Sequence, residues 1–281
     1  MNKLTAEKKI AVVAALVEGC SIRSTARLTG VAKSTILRLL EEVGTACAEY
    51  QNFAIRNIKA QRVQVDEIWA FVGCKQKNVT QEIANERVAG DVWTWVALDS
   101  DSKLAISWLV GQRDAGCATE FIQDLANRLA TRVQLTSDGH KVYLNAVIDA
   151  FADDIDYAML IKHFGNDPEA QKRYSPAQCN GCEKKLVLGT PDPLYISTSH
   201  VERQNLTMRM NMRRFTRLTN AFSKKVENHM HSVSLFYMHY NFVRVHQTLK
   251  TTPAIAAGVS RKAWTIADIV ALTDAHLALA A

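Results

Sequence analysis

The chain has 281 residues, 48% of them hydrophobic and 22% charged, with a formal net charge of +6. That balance excludes a disordered polyelectrolyte and allows one substantial core with a small accessory unit. No apolar run reaches membrane-spanning length, and the N-terminal MNKLTAEKK lacks the apolar core of a signal peptide, so no membrane partner and a cytoplasmic location are expected. The positive sign points towards a polyanionic partner. Six scattered cysteines, Cys20, Cys47, Cys74, Cys117, Cys179 and Cys182, form no disulfide framework and fit a reducing compartment. Cys179 and Cys182 stand at CxxC spacing without a second pair, which cannot close a tetrahedral zinc site.

Three helices are expected first. TAEKKIAVVAALVEG is amphipathic and stops at Gly19, SIRSTARLTG opens on a capping serine and ends at Gly30, and AKSTILRLLEEVG runs to Gly44. The order reads as an all-α helix-turn-helix domain over residues 1–45, with Val31, Ile36 and Leu39 buried. In such a unit the later helix meets base edges through its N-terminal residues, here Lys33, Ser34, Thr35 and Arg38. A plain three-helix bundle is the alternative. Residues 46–62 are expected to be a linker.

The next region, 63–250, changes character. RVQVDEIWAFVG, DVWTWVALDS and LAISWLVGQRD read as strands of an antiparallel meander. ATEFIQDLANRLA is helical, VQLTSD is a short strand, HKVYLNAVIDAF is helical and IDYAMLIKHF is a strand, giving an α/β class with a mixed sheet flanked by helices. About residues 165–193, which hold four of the five prolines, an irregular insertion is expected. A helical stretch then runs to about Asn241, and a helical tail over 251–281 resembles a packing or dimer element.

Three acids stand out. Asp66 lies inside the first strand; if Val63 and Val65 face one side, Asp66, Gln64 and Ile68 face the other, while Glu67 points away from Asp66. A lone aspartate in an apolar strand is costly to bury without a partner. Asp138 ends the strand VQLTSD, at the carboxyl edge where open α/β sheets place ligands. Glu202 opens a helix and is followed by no further acid until Glu227, while Arg203, Arg209, Arg213, Arg214 and Arg217 crowd in. Each acid alone has an ordinary explanation, as a turn residue or a helix-start acid. On a continuous helix Val201, Met208, Met212 and Phe215 share a core stripe. Glu202, Arg209 and Arg213 share the neighbouring stripe, and Asn205 lies between the two. Such a helix would deliver one cation ligand and then track a phosphate backbone. Three carboxylates suit Mg²⁺ (or Mn²⁺), two ions per site serving an in-line displacement. His140 stands close enough to Asp138 to meet a substrate phosphate, Asp99 reads as a turn acid, and the strand tryptophans read as core.

These blocks resemble DDE-type insertion-sequence transposases, in particular the single-frame IS1 family. VDEIWAFVGCKQKN resembles the first-aspartate block, LTSDGHKVYLNAV the second, and DPLYISTSHVERQNLTMRMNMRRFTRLTNAFSKKVENH the glutamate block; HYNFVRVHQTLKTTPAIAAG is similar to the C-terminal block. The resemblance implies an RNase H-like fold over 63–250 and a catalytic, metal-binding triad of Asp66, Asp138 and Glu202. It also implies a DNA contact at Arg209, double-stranded DNA as the partner, and a homodimer or higher oligomer. The chain lacks the Cys-rich N-terminal finger of some such relatives. Two alternatives remain: a nuclease that cuts without joining, and a DNA-binding regulator without chemistry.

Overall fold

The computed structural model describes residues 4–86, 88–165, 178–216 and 219–279. Three helices come first, α1 (Ala6–Val17), α2 (Ile22–Thr29) and α3 (Lys33–Ala54). Ser21 caps α2 by accepting the Ser24 N–H at 3.1 Å, and Gly30 closes it in the left-handed region at φ +69°. Val31, Ile36 and Leu39 are buried as expected.

The third helix does not stop at Gly44. It continues to Ala54, so much of the expected linker 46–62 is helix. Gly44 is a crossing point rather than a cap. A Cβ there would lie 2.4 Å from the Cβ of His231 on α8 (Val226–Met238). Ser234 Oγ donates to the Gly44 carbonyl at 2.7 Å, and Gln51 Nε2 donates to the Ser234 carbonyl at 3.1 Å. A glycine is compatible with both a helix stop and a close helix contact, and here packing decides.

The sheet follows: β1 (Arg62–Val72), a short helix α4 (Gln81–Glu86), β2 (Gly90–Asp99) and β3 (Ala105–Gly111). Helix α5 (Ala115–Ala126), β4 (Gln134–Asp138), α6 (Val142–Phe151), β5 (Asp156–Gly165) and β6 (Gln178–Leu188) complete it. The strand order is β3-β2-β1-β4-β5-β6. Pairing is parallel for β1–β4 and β4–β5 and antiparallel elsewhere. The expected insertion therefore contains a sixth strand. Its residues from Cys179 to Leu186 are exposed, so it carries no alternating apolar signal, as is usual for an edge. Residues 166–177 of that insertion lie outside the described residues.

The chain ends with α7 (Ser199–Asn211), α8, a one-turn α9 (Pro253–Ala256) and α10 (Ile266–Leu279). The stretch expected to be helical to about Asn241 is thus interrupted after α7. Met212 leaves the helix at φ −124° and ψ 105°. No glycine or proline marks this break; Met212 and Phe215 both turn into the core instead.

Strand alternation divides the interior. Val63 and Val65 join Trp95, Phe121, Leu135 and Tyr143 in a core that also takes in α1, α3 and α10. Ile68, Ala70 and Val72 join Val96, Val201, Met208, Phe236 and Tyr237 in a second core under α7 and α8. The sheet is covered on both faces, and each fully buried side chain such as Ile68 contributes roughly 2 kcal/mol. Trp95 is wholly buried, with Nε1 donating to the Gln112 carbonyl at 3.0 Å. Among the described residues no helix is long and apolar enough to cross a membrane.

Candidate functional site

Parallel pairing of β1 with β4 sets Gln64 beside Thr136. Two residues further along each strand stand Asp66 and Asp138, at the carboxyl end of β4. Gln64 and Asp66 face α7, as alternation along β1 requires. Gln64 Oε1 accepts the N–H groups of His200 and Val201 at 2.8 and 3.1 Å, serving as the acceptor for the free first turn of α7. One turn later, Asn205 Nδ2 donates to Asp66 Oδ2 at 2.8 Å. The helix bearing Glu202 is therefore tied to β1 at two successive points of one strand face.

Asp66, Glu67 and Asp138 each present an oxygen within 4.8 Å of the others. Burial raises the Asp66 carboxyl first, then the charges of Glu67 and Asp138; a hydrogen bond from the Glu67 backbone opposes them, and Glu202 adds a smaller rise. The result is pushed up to about 7. Glu67 has a fully buried side chain on the α6 side of the sheet. It accepts from Arg113 Nε at 2.8 Å and from the Tyr143 hydroxyl at 3.2 Å. Burial raises its carboxyl as well, against the pull of Arg113. Alternation sets Glu67 on the face opposite Asp66, as expected, yet its carboxylate still reaches the pair because β4 ends at Asp138.

Arg113 stacks over the Trp93 ring at 4.7 Å and brings Nη2 to 3.9 Å from Asp138 Oδ2. Asp138 Oδ1 accepts the His140 N–H at 2.9 Å, while His140 Nε2 lies 3.8 Å from Glu67 Oε1. The expected His140 thus belongs to the cluster, on its Glu67 side.

Glu202 sits in the first turn of α7 but outside the 4.8 Å group. Its Oε1 accepts from Thr198 Oγ1 at 2.6 Å and forms an ion pair with Lys162 Nζ of β5. Of the three expected acids, Asp66 and Asp138 therefore adjoin at the carboxyl end of β4. Glu202 is near enough for its charge to add to the rise at Asp66, and its carboxylate is bound to Lys162 and Thr198.

Sequence reasoning missed Lys162, Thr198, Arg113 and Tyr143, and set Glu67 aside. Lys162 did leave a signal, as a cation closing the apolar run AMLI of β5. Asp99 is a turn acid as expected, accepting the N–H groups of Asp101 and Ser102 at 3.1 and 3.2 Å.

The expected DNA contacts divide. Lys33, Ser34 and Arg38 are exposed at the start of α3 and Thr35 is half-buried there. Arg203 and Arg213 are exposed and Arg209 is half-buried. Arg213 lies past the end of α7 and so off the stripe shared by Glu202 and Arg209. Asn205 is buried and spends its amide on Asp66. Arg214 turns inward, with Nη1 donating to Ser223 Oγ at 2.6 Å. Arg217 lies outside the described residues.

A set of oxygen ligands, with the Asp66 carboxyl raised by burial first and by its neighbours' charge second, has the chemistry of a hard divalent cation site. The group whose ligand atoms all lie within 4.8 Å of one another is made of carboxylates, with His140 at its Glu67 side.

No family model and no curated protein matches the chain. Among solved structures it is similar to the Mos1 transposase paired-end complex with left transposon end, at 15% identity and a TM-score of 0.24, over 56% of this chain and 60% of that one. It is similar to a piggyBac transposase synaptic complex with hairpin DNA at 10% identity and a TM-score of 0.37, over 99% of this chain and 75% of that one. The Mos1 strand transfer complex gives 14% identity and a TM-score of 0.25, over 84% and 78%. The chain thus spans about 60% of the length of the first of these. TM-scores this low do not define a common fold, and the functional reading rests on the acid site itself.

Proposed function

We propose that this chain is a DNA transposase of the DDE type, with an RNase H-like catalytic region, that cleaves the ends of an insertion sequence and joins the 3′-hydroxyl ends to target DNA. The observation that carries the reading is the meeting of Asp66 and Asp138 on neighbouring parallel strands, with Asn205 of the Glu202 helix bonded to Asp66.

Asp66, Asp138 and Glu202 are the residues that would hold Mg²⁺ or Mn²⁺, as two ions. When bound, such ions activate the attacking oxygen and stabilise the leaving one in an in-line phosphoryl displacement. The chain's own side chains do the positioning. Asn205 fixes one oxygen of Asp66 and leaves the other for a cation. Thr198 and Lys162 both bond Oε1 of Glu202 and so orient it. Arg113, braced by Glu67 and Trp93, offsets part of the acid charge beside Asp138. His140 adjoins the same acid.

The N-terminal helices would bind element ends as a helix-turn-helix, with Lys33, Ser34, Thr35 and Arg38 towards the duplex. Arg203, Arg209 and Arg213 would meet phosphates near the acid site. Two ends must be cut and joined together, so a homodimer or higher oligomer assembles on DNA. Within the transposases, the IS1 family is the membership we favour, on the blocks around the three acids.

The test uses duplex DNA carrying the sequences that flank the coding region, incubated with the full chain, Mg²⁺ and a target plasmid. The reading predicts metal-dependent nicks that leave 3′-hydroxyls, followed by joined product. Nicks without joining would make the chain a nuclease. Specific binding without metal-dependent chemistry would make it a regulator.

A further inference from the structure

The CxxC pair is not absorbed by the acid site, and its geometry is specific. In an unbroken strand, residues three apart point to opposite faces of the sheet. In β6 the register slips: Lys162 pairs with Cys182, His163 with Gly181, and Phe164 with Cys179. Asn180 is the extra residue of a β-bulge. Cys179 and Cys182 therefore stand opposite two residues of β5 that are two apart, and so share one face. Their Sγ atoms are 3.8 Å apart and both residues are exposed. Lys162, across from Cys182, reaches Glu202, which sets the sulfur pair on the sheet face of α7.

We propose that Cys179 and Cys182 form a dithiol oxidation site that closes reversibly to an intrachain disulfide on reaction with a peroxide. The other cysteines are poor competitors. Cys47 is buried, which pushes its thiol up, and Cys20, Cys74 and Cys117 are half-buried. Zinc is a weaker fit to the same spacing. Among the described residues the only cluster of three or more possible ligands is Asp66, Glu67 and Asp138, so no third ligand joins the sulfurs.

Both sulfurs are exposed, so either can meet the oxidant first, Cys179 with Cys182 as its resolving partner or the reverse. In the first order, the Cys179 thiolate attacks one peroxide oxygen, the O–O bond breaks, and hydroxide leaves as a sulfenic acid forms. The Cys182 sulfur then attacks the Cys179 sulfur. The S–S bond forms, the S–O bond breaks, and the departing hydroxide leaves as water with the Cys182 proton. The first hydroxide takes up the proton that Cys179 lost on becoming a thiolate, so two electrons pass from the sulfur pair to the peroxide and two waters result.

The full chain, reduced and freed of reductant, is treated with stoichiometric hydrogen peroxide and read by intact mass, maleimide labelling and peptide mapping. The expected result is a mass lower by two hydrogens, two fewer labelled thiols per chain, and a cross-linked Cys179–Cys182 peptide that a phosphine reverses. Cys179→Ser should abolish that product. Three results would overturn the proposal: separate sulfinic acids on the two sulfurs, a disulfide-linked dimer as the main product, or stoichiometric zinc that protects both thiols until a chelator removes it.

Discussion

Asn205 donates to Asp66 across 2.8 Å, so the helix that carries Glu202 is fastened to the first strand at the acid pair itself. The second fastening is Gln64, on the same strand face two residues earlier, which accepts two backbone N–H groups of that helix. Both side chains bond within the chain, and both set where Glu202 stands relative to Asp66.

Replacing Gln64 by Leu keeps its bulk but leaves the Val201 N–H without its acceptor in a buried place and the His200 N–H without it in a half-buried one. Losing a helix cap of this kind costs about 1–2 kcal/mol. Urea unfolding should show that loss. An unchanged midpoint would mean the cap is not used in solution.

The long third helix makes a second prediction. Gly44→Ala drives a methyl into His231 of α8 and should destabilise the chain by about 1–3 kcal/mol. Gly116→Ala on α5 is the control. The nearest atom to its added Cβ is Asp114 Oδ1 at 3.5 Å, and helix propensity there favours Ala by up to about 1 kcal/mol. Thermal melting of the two variants separates them. Equal shifts would mean that α3 and α8 do not cross at Gly44.

These two cases show where the sequence was legible. The meander, the α/β alternation and the capped α2 follow from local periodicity and from Ser21 and Gly30, and they appear at nearly the expected bounds. The sidedness of Asp66 and Gln64 also follows from the two-residue period of a strand. Gly44 deceived because one residue type serves two purposes. Strand β6 was hidden because an exposed edge has no apolar alternation, and the end of α7 because core packing rather than a breaker residue stops it. The partners Lys162 and Arg113 come from distant parts of the chain and no sequence spacing brings them to the acids, whereas Thr198 is local, four residues before Glu202.

The buried His229 gives a pH prediction. Its Nδ1 meets Ser223 Oγ at 3.1 Å, and burial, reinforced by the Arg214 charge, lowers its imidazolium from 6.5 to about 3. The unfolded chain takes up a proton below pH 6.5 while the folded chain does not. This group's contribution to stability is therefore complete above pH 6.5 and falls as pH drops towards 3, by at most about 1.4 kcal/mol per pH unit. Urea midpoints measured from pH 7 downwards should fall more steeply for the unmodified chain than for His229→Gln. Parallel curves would contradict the buried neutral ring.

The central claim is that Asp66, Asp138 and Glu202 share divalent cations, and Mn²⁺ titration calorimetry across pH tests it directly. Because the Asp66 carboxyl stands at about 7, cation binding must expel its proton. Affinity should rise about tenfold per pH unit up to about pH 7 and then level, with proton release seen as a buffer-dependent heat. Asp66→Asn, Asp138→Asn and Glu202→Gln should each weaken binding by at least about tenfold. Binding of equal strength in all three variants, or one indifferent to pH between 5 and about 7, would contradict the shared site.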